Sequence, residues 1–209
     1  MIGPARLLDS YARGIFPMAD SAEDDRLFWV DPAMRGVLPV GGVHASRSLL
    51  RDLRRGGWSA LLDCDFDTIV EGCAARETTW INEPLRRLYR RLHDAGHAHA
   101  IEIRQHGALA GGIFGVTIGA AFFGESMFST RRNGSRVALL WASSHLKRCG
   151  FRLFDTQFLT PHLASMGGYE IPRARYQALL REAIALRADF RSNDLPDADQ
   201  LWQEITQTS

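Results

Sequence analysis

Asp155 and Gln157 stand two residues apart in the run Phe154-Asp155-Thr156-Gln157, inside a stretch, 151–158, that reads as a strand. On a strand that spacing turns both side chains to one face of the sheet. A carboxylate beside an amide can orient an amine nucleophile and handle the proton it sheds as a bond forms. On spacing alone the pair can equally buttress a loop, and alternating polar pairs do so commonly. Glu125 interrupts an apolar strand between Phe123 and Met127. A carboxylate so placed costs on the order of several kcal/mol unless it is paired, so it must hold an ammonium group or accept from neighbours such as Ser126. Arg131, Arg132 and Arg136, with Lys147 and Arg148 nearby in sequence, gather around a predicted helix start, an arrangement that suits phosphate. Arg86, Arg87, Arg90 and Arg91 form a second basic cluster that reads as a solvated helix face. His93, His97 and His99 lack the Cys, Asp or Glu that would complete a metal-ligand spacing, so they are read as structural and no metal is expected.

Helices and strands must carry these groups. The first 40 residues hold Gly14, Pro17, Pro32, Gly36 and Pro39, and read as a short helix followed by loops and small strands. Ser46 can cap a helix bearing Leu49, Leu50 and Leu53, which Gly56-Gly57 stops. A strand over Trp58–Leu62 comes next. Asp65 can cap a helix whose Phe66, Ile69, Val70, Cys73 and Ala74 recur at helical period, and Asn82 caps another with Leu85, Leu88, Tyr89 and Leu92. From His99 the period changes to that of strands: 100–104, 108–118 and 120–128 form an antiparallel meander with a turn at His106-Gly107. A helix over 135–149, the strand at 151–158 and a last helix starting near Pro172 complete the order of elements. Residues 1–57 are expected as a small N-terminal appendage and 58–209 as the catalytic domain.

With 209 residues, 45% of them hydrophobic and 23% charged, the chain is long and apolar enough for a globular core. A formal net charge of +1 announces no nucleic-acid binder, so any such contact rests on a local patch. The three cysteines, Cys64, Cys73 and Cys149, show no metal spacing and are read as core residues in a reducing compartment. The N-terminus lacks the apolar run of a signal peptide, and no stretch is long enough to span a membrane. Cytoplasmic localisation is the expectation.

Three segments carry identity: Tyr11-Ala12-Arg13-Gly14-Ile15-Phe16-Pro17-Met18 with Phe28-Trp29-Val30-Asp31-Pro32; Phe123-Gly124-Glu125-Ser126-Met127-Phe128-Ser129; and Phe154-Asp155-Thr156-Gln157 with Thr160-Pro161-His162-Leu163-Ala164-Ser165-Met166-Gly167 and Glu170-Ile171-Pro172-Arg173. Together, over about residues 4–179, the chain resembles the leucyl/phenylalanyl-tRNA–protein transferase family. The resemblance implies transfer of Leu or Phe, with Met a further candidate, from aminoacyl-tRNA to the N-terminal Lys or Arg of acceptor proteins, which creates a degradation signal. It implies no cofactor. It makes Asp155 and Gln157 a catalytic pair with Glu125 beside them, and it makes Met18, Trp80, Ile113, Phe122, Met127 and Leu139 the lining of an aminoacyl pocket. Met18 stands where many relatives have tryptophan, which alters the pocket's width. The chain also begins close to the Tyr11 motif, so a reduced appendage is expected. Arg131, Arg132 and Arg136 are then the tRNA contact. The order strand, helix, helix, three strands, helix, strand is similar to the α/β N-acyltransferase (GNAT-like) fold. An acetyl-CoA-dependent N-acetyltransferase is the alternative function. Against it, Arg131-Arg132-Asn133-Gly134-Ser135-Arg136 ends the pyrophosphate-loop pattern on a bulky Arg136 where a small residue is needed. A non-catalytic tRNA-binding adaptor is a further alternative, which the presence of Asp155 and Gln157 opposes.

Overall fold

The computed structural model describes residues 2–22, 24–76 and 79–208. Helix α1 (Pro4–Ala12) and a two-stranded hairpin, β1 (Phe16–Met18) with β2 (Phe28–Val30), open the chain. β3 (Met34–Leu38), α2 (Arg47–Arg55), β4 (Trp58–Leu62), α3 (Phe66–Ala74) and α4 (Glu83–Asp94) come next, then β5 (Ala98–Gln105), β6 (Ala108–Ile118) and β7 (Ala121–Ser129). The chain continues through α5 (Gly134–Arg148), β8 (Leu153–Gln157), α6 (Pro161–Ser165), β9 (Tyr169–Pro172), α7 (Arg173–Ala185) and α8 (Ala198–Thr208). Local chemistry explains several starts. Ser46, Asp65 and Asn82 each accept a backbone N–H three residues on, at 2.9–3.2 Å, so the first turns of α2, α3 and α4 are capped as their sequences predict.

Seven strands form one mixed sheet in the order β4-β5-β6-β7-β8-β3-β9. Neighbours are antiparallel except β7 and β8, which run parallel. Helices cover both faces. On one side Leu7 and Tyr11 of α1, Phe66 and Ile69 of α3, Leu88 and Tyr89 of α4, and Tyr176 and Leu180 of α7 pack on Phe114, Phe123 and Leu153. On the other, Leu49 and Leu53 of α2, Val137 to Leu140 of α5 and Leu201 of α8 pack on Ile101, Ile113, Phe122 and Phe154.

Some of this departs from what the sequence predicts. β3 lies between β8 and β9, so the stretch expected as an appendage gives an inner strand to the main sheet. A helix does start beside Pro172, as the sequence predicts, with Pro172 both the end of β9 and the N-cap of α7, but it is not the last helix, since α8 follows it. β9, α6 and α8 are elements that the sequence pattern does not announce: β9 has four residues, too few to show a period, and exists by pairing with β3. Cys64 is exposed, just past the end of β4, and not part of the core.

Two irregularities of the sheet shape the region around Glu125 and Asp155. β7 and β8 pair only from Ala121↔Leu153 to Phe123↔Asp155; β7 then runs on to Ser129 while β8 ends at Gln157, so the parallel strands part. In the β6–β7 ladder, Phe114 faces Ser126 and Gly115 faces Gly124, which leaves Glu125 as the extra residue of a β-bulge. On the far side of β8, Gly36 of β3 faces Gln157, and a Cβ there would lie 2.6 Å from the carbonyl carbon of Phe158. Gly36→Ala is therefore expected to push β3 off β8 and to lower stability by about 1–3 kcal/mol, read as a fall in the thermal midpoint.

Candidate active site

Asp155 is fully buried, and a buried carboxylate needs donors. Arg35 supplies two from a planar fork, Nε to Oδ1 at 2.8 Å and Nη2 to Oδ2 at 2.6 Å. The Tyr176 hydroxyl donates to Oδ2 at 2.8 Å, and the backbone N–H of Gln157 to Oδ1 at 2.8 Å. Arg35 is itself 1% exposed, lies between the rings of Phe16 and Tyr176 at 4.6 and 4.4 Å, and gives its third direction to the carbonyl of Gly14 at 2.8 Å. The bond from Gln157 N–H back to Asp155 is an Asx-type turn, and it accompanies a left-handed Gln157 with φ +64°. A non-glycine residue there is uncommon and is held by its surroundings. Asp155 and Gln157 thus reach the same side of the sheet through a turn at the end of β8, where the sequence predicts plain strand alternation.

Glu125 faces the same side. Tyr11 donates to Oε1 at 2.6 Å, Tyr89 to Oε2 at 2.8 Å and Gln157 Nε2 to Oε2 at 3.3 Å. The bulge explains the aim: Phe123 packs with the α1/α4 layer while Met127 packs with the α5 layer, so regular alternation through Glu125 is broken. Gln157 links the carboxylates, its backbone to Asp155 and its side chain to Glu125. Burial raises the Glu125 carboxyl; the bonds from Tyr11, Tyr89 and Gln157 lower it, the charge of Asp155 raises it, and it comes to rest at about 7 instead of 4.5. Burial, followed by the charge of Glu125, likewise raises both tyrosines well above their ordinary value, so they stay donors.

The expected pocket residues divide between the two layers. Ile113 and Phe122 of the sheet and Leu139 of α5 are buried in the α5 layer, with Met127 packed against that layer, whereas Met18 and Trp80 pack on the α1/α4 side, Trp80 edge-on to Tyr89. A cleft of about 750 Å³ opens where β7 has left β8, lined by Met127, Phe128, Ser129, Thr160 and His162 among others. Arg76 reaches into this stretch and donates to the Met127 carbonyl and the Ser126 hydroxyl. Arg131, Arg132 and Arg136 lie around the start of α5, the first two and the last all exposed. Arg132 and Arg136 share a recess of about 490 Å³ with Arg51 and Arg55 of α2; its one carboxylate, Asp52, already accepts from Asn133 at 2.8 Å. In the second basic cluster, Arg86, Arg87 and Arg90 are paired with Glu71, Glu83, Asp67 and Asp94 along α3 and α4. His99 bonds Asp63 at 2.8 Å, and His93 bonds the Ala98 carbonyl.

The family profile of leucyl/phenylalanyl-tRNA protein transferase matches residues 37–181, which hold Glu125, Asp155 and Gln157, and the profile of that transferase's N-terminal domain matches residues 1–33. The chain belongs to the leucyl/phenylalanyl-tRNA protein transferase family. A leucyl/phenylalanyl-tRNA–protein transferase of Paracoccus denitrificans is 58% identical over 98% of this chain and 96% of its own. Proteins of the same name from Dinoroseobacter shibae and Cereibacter sphaeroides are 56% and 52% identical, covering 92% and 99% of this chain and 86% and 97% of theirs. The motifs at Tyr11, Phe123 and Phe154 therefore identify the family. They do not single out Arg35, Tyr89 and Tyr176, or Tyr11 as a contact to Glu125. Each has a signal: an arginine inside the apolar run Met34 to Leu38, and tyrosines on buried helix stripes, whose hydroxyls require partners. Arg51 and Arg55 give none, because it is the fold, and not nearness in sequence, that brings α2 beside the start of α5.

Because Glu125 is raised in the folded state, its contribution to stability is complete below its ordinary value of 4.5 and is lost as pH rises through about 7. Thermal midpoints of the parent and of Glu125→Gln, taken at pH 5 and pH 8, are expected to show a fall in the parent that the variant lacks.

Proposed function

We propose that this enzyme moves leucine or phenylalanine, and methionine as a third donor, from aminoacyl-tRNA to the N-terminal Lys or Arg of acceptor proteins, and that it works in the cytoplasm. The observation that supports the reading most directly is the Glu125–Gln157–Asp155 network in a member of this family, beside a cleft where two parallel strands part. That parting is also the reason to read the sheet as an N-acyltransferase (GNAT-like) design. Among the described residues no helix is long and apolar enough to cross a membrane.

An ionised carboxylate offers about four lone-pair sites. Asp155 fills its four with Arg35 twice, Tyr176 and Gln157, while Glu125 holds three donors and keeps one site on Oε1. We assign the roles accordingly. The neutral acceptor amine attacks the ester carbonyl, a C–N bond forms and the ester C–O bond breaks. Glu125 takes the proton the amine releases and returns it to the leaving ribose oxygen. Gln157 gives Nε2 to Glu125 and turns its amide oxygen to the amine, and Asp155 positions Gln157 without itself taking a proton. The aminoacyl side chain is assigned to the cleft lined by Met127, with Ile113, Phe122 and Leu139 behind it on the α5 side, while Met18 and Trp80 lie across the sheet on the α1/α4 side. Unbranched or γ-branched side chains fit such a lining, and isoleucine or valine loses about 1–3 kcal/mol of discrimination. Phosphates of the tRNA acceptor end lie on Arg131, Arg132 and Arg136, extended by Arg51 and Arg55.

An acetyl-CoA donor is not favoured. Besides the bulky Arg136, the N–H of Ser135 at the start of α5 already donates to the Ser129 hydroxyl at 2.7 Å, where a pyrophosphate would need it.

Transfer of labelled leucine from Leu-tRNA to peptides beginning with Lys, Arg, Asp or Ala tests the reading; transfer confined to Lys and Arg supports it, and equal transfer to all four removes it. Asp155→Ala is expected to lower kcat by about 10²-fold, the scale of misplaced reacting groups, with donor affinity nearly intact. Replacing Arg51, Arg55, Arg132 and Arg136 with Ala should weaken Leu-tRNA and Phe-tRNA alike and flatten the salt dependence of binding by filter assay.

A further inference from the structure

Arg35 belongs to none of the groups expected to meet substrate, yet its whole side chain is spent on the site. Its side chain is buried, and so is that of its partner Asp155. A buried ion pair is a weak source of stability, since apolar residues of like volume often do as well. The geometry does something else. The fork from Nε and Nη2 meets both carboxylate oxygens, and the bond from Nη1 to the Gly14 carbonyl and the rings of Phe16 and Tyr176 prevent the guanidinium from turning. Asp155 is thereby fixed in rotation as well as in place. Its Oδ1 then stands under the Gln157 N–H and holds that residue at φ +64°, a conformation from which the Gln157 amide reaches Glu125. If Asp155 turned, the Asx turn would open and Gln157, at the end of its strand, would return to an extended conformation that points its amide elsewhere.

We propose that Arg35 is a positioning residue for aminoacyl transfer, acting through Asp155 to hold the left-handed turn at Gln157 and so aim the Gln157 amide between Glu125 and the acceptor amine. Tyr176 assists from the other side of the same carboxylate. The inference rests on the role proposed above for Gln157. It distinguishes shape from charge: a lysine at 35 keeps the positive charge but offers a single point donor in place of the two-pronged fork.

The test uses the full chain, Leu-tRNA and a peptide beginning with Lys, and it separates kcat from the donor KM. Arg35→Lys is expected to lower kcat by about 10–100-fold, the scale of a small misplacement of reacting groups, with the donor KM within about threefold of the parent. In a Gln157→Ala background the same substitution should cost less than about threefold, because the group it aims is gone. Should Arg35→Lys fail to fold, Tyr176→Phe, which keeps the ring, acts along the same path and is expected to lower kcat by about 3–10-fold with donor KM unchanged. Parental kcat in either folded variant, or a loss that multiplies in full with Gln157→Ala, overturns the proposal. A parental rate in Asp155→Asn would instead remove the reading of the Asp155–Gln157 pair itself.

Discussion

A carboxylate withdrawn from water must be given donors, and this fold withdraws two within one hydrogen-bonded network. The two are satisfied differently. Asp155 meets a guanidinium fork and becomes half of a neutral unit, whereas Glu125 meets two tyrosines and an amide, which carry no charge. A neutral donor set lowers the cost of the anion without cancelling it, which is why Glu125 rests at about 7. The rest of the architecture around the site serves this inequality: α1 brings Tyr11, α4 brings Tyr89, α7 brings Tyr176 and β3 brings Arg35. Four elements from distant parts of the chain supply the two carboxylates with these different sets of donors.

Backbone irregularity does the aiming. Regular strands would put Phe123, Glu125 and Met127 on one face, but the bulge at Glu125 lets the carboxylate face α1 and α4 while Met127 faces α5. A second irregularity, at the end of β8, turns Gln157 toward it. Between them the parallel strands separate, and a sheet that parts in this way can admit a substrate without losing its core on either face.

Much of this is legible in the residues. Caps at Ser46, Asp65 and Asn82, the apolar stripes of α3 and α4 and the meander from His99 are local signals, and local energetics decides them. Asp155, Gln157 and Glu125 are legible as chemistry because polar groups in apolar strands are costly. Which groups pair with them is not, since an arginine in the run Met34-Arg35-Gly36 announces that it needs a partner but not that the partner is 120 positions away. For the same reason β9, which depends on β3, and the recess formed by α2 and α5 leave no mark in the sequence. Cys64 goes against the usual tendency: a cysteine is most often buried, and this one comes after the last strand residues of β4 and reaches the surface.

The bonds from Tyr11 to Glu125 and from Arg35 to Asp155 close loops of 114 and 120 residues, and Tyr176 joins from still farther along the chain. Contacts of such separation form late, because the chain must first lose the entropy of closing them. During synthesis Arg35 emerges long before Asp155 and Tyr176 exist. The site is therefore incomplete until β8 and α7 have joined α1, β3, α4 and β7. A chain that stops short of α7 owns every strand of the meander, with Arg35, Glu125 and Asp155, and yet lacks Tyr176, so one of the four donors to Asp155 is supplied last of all.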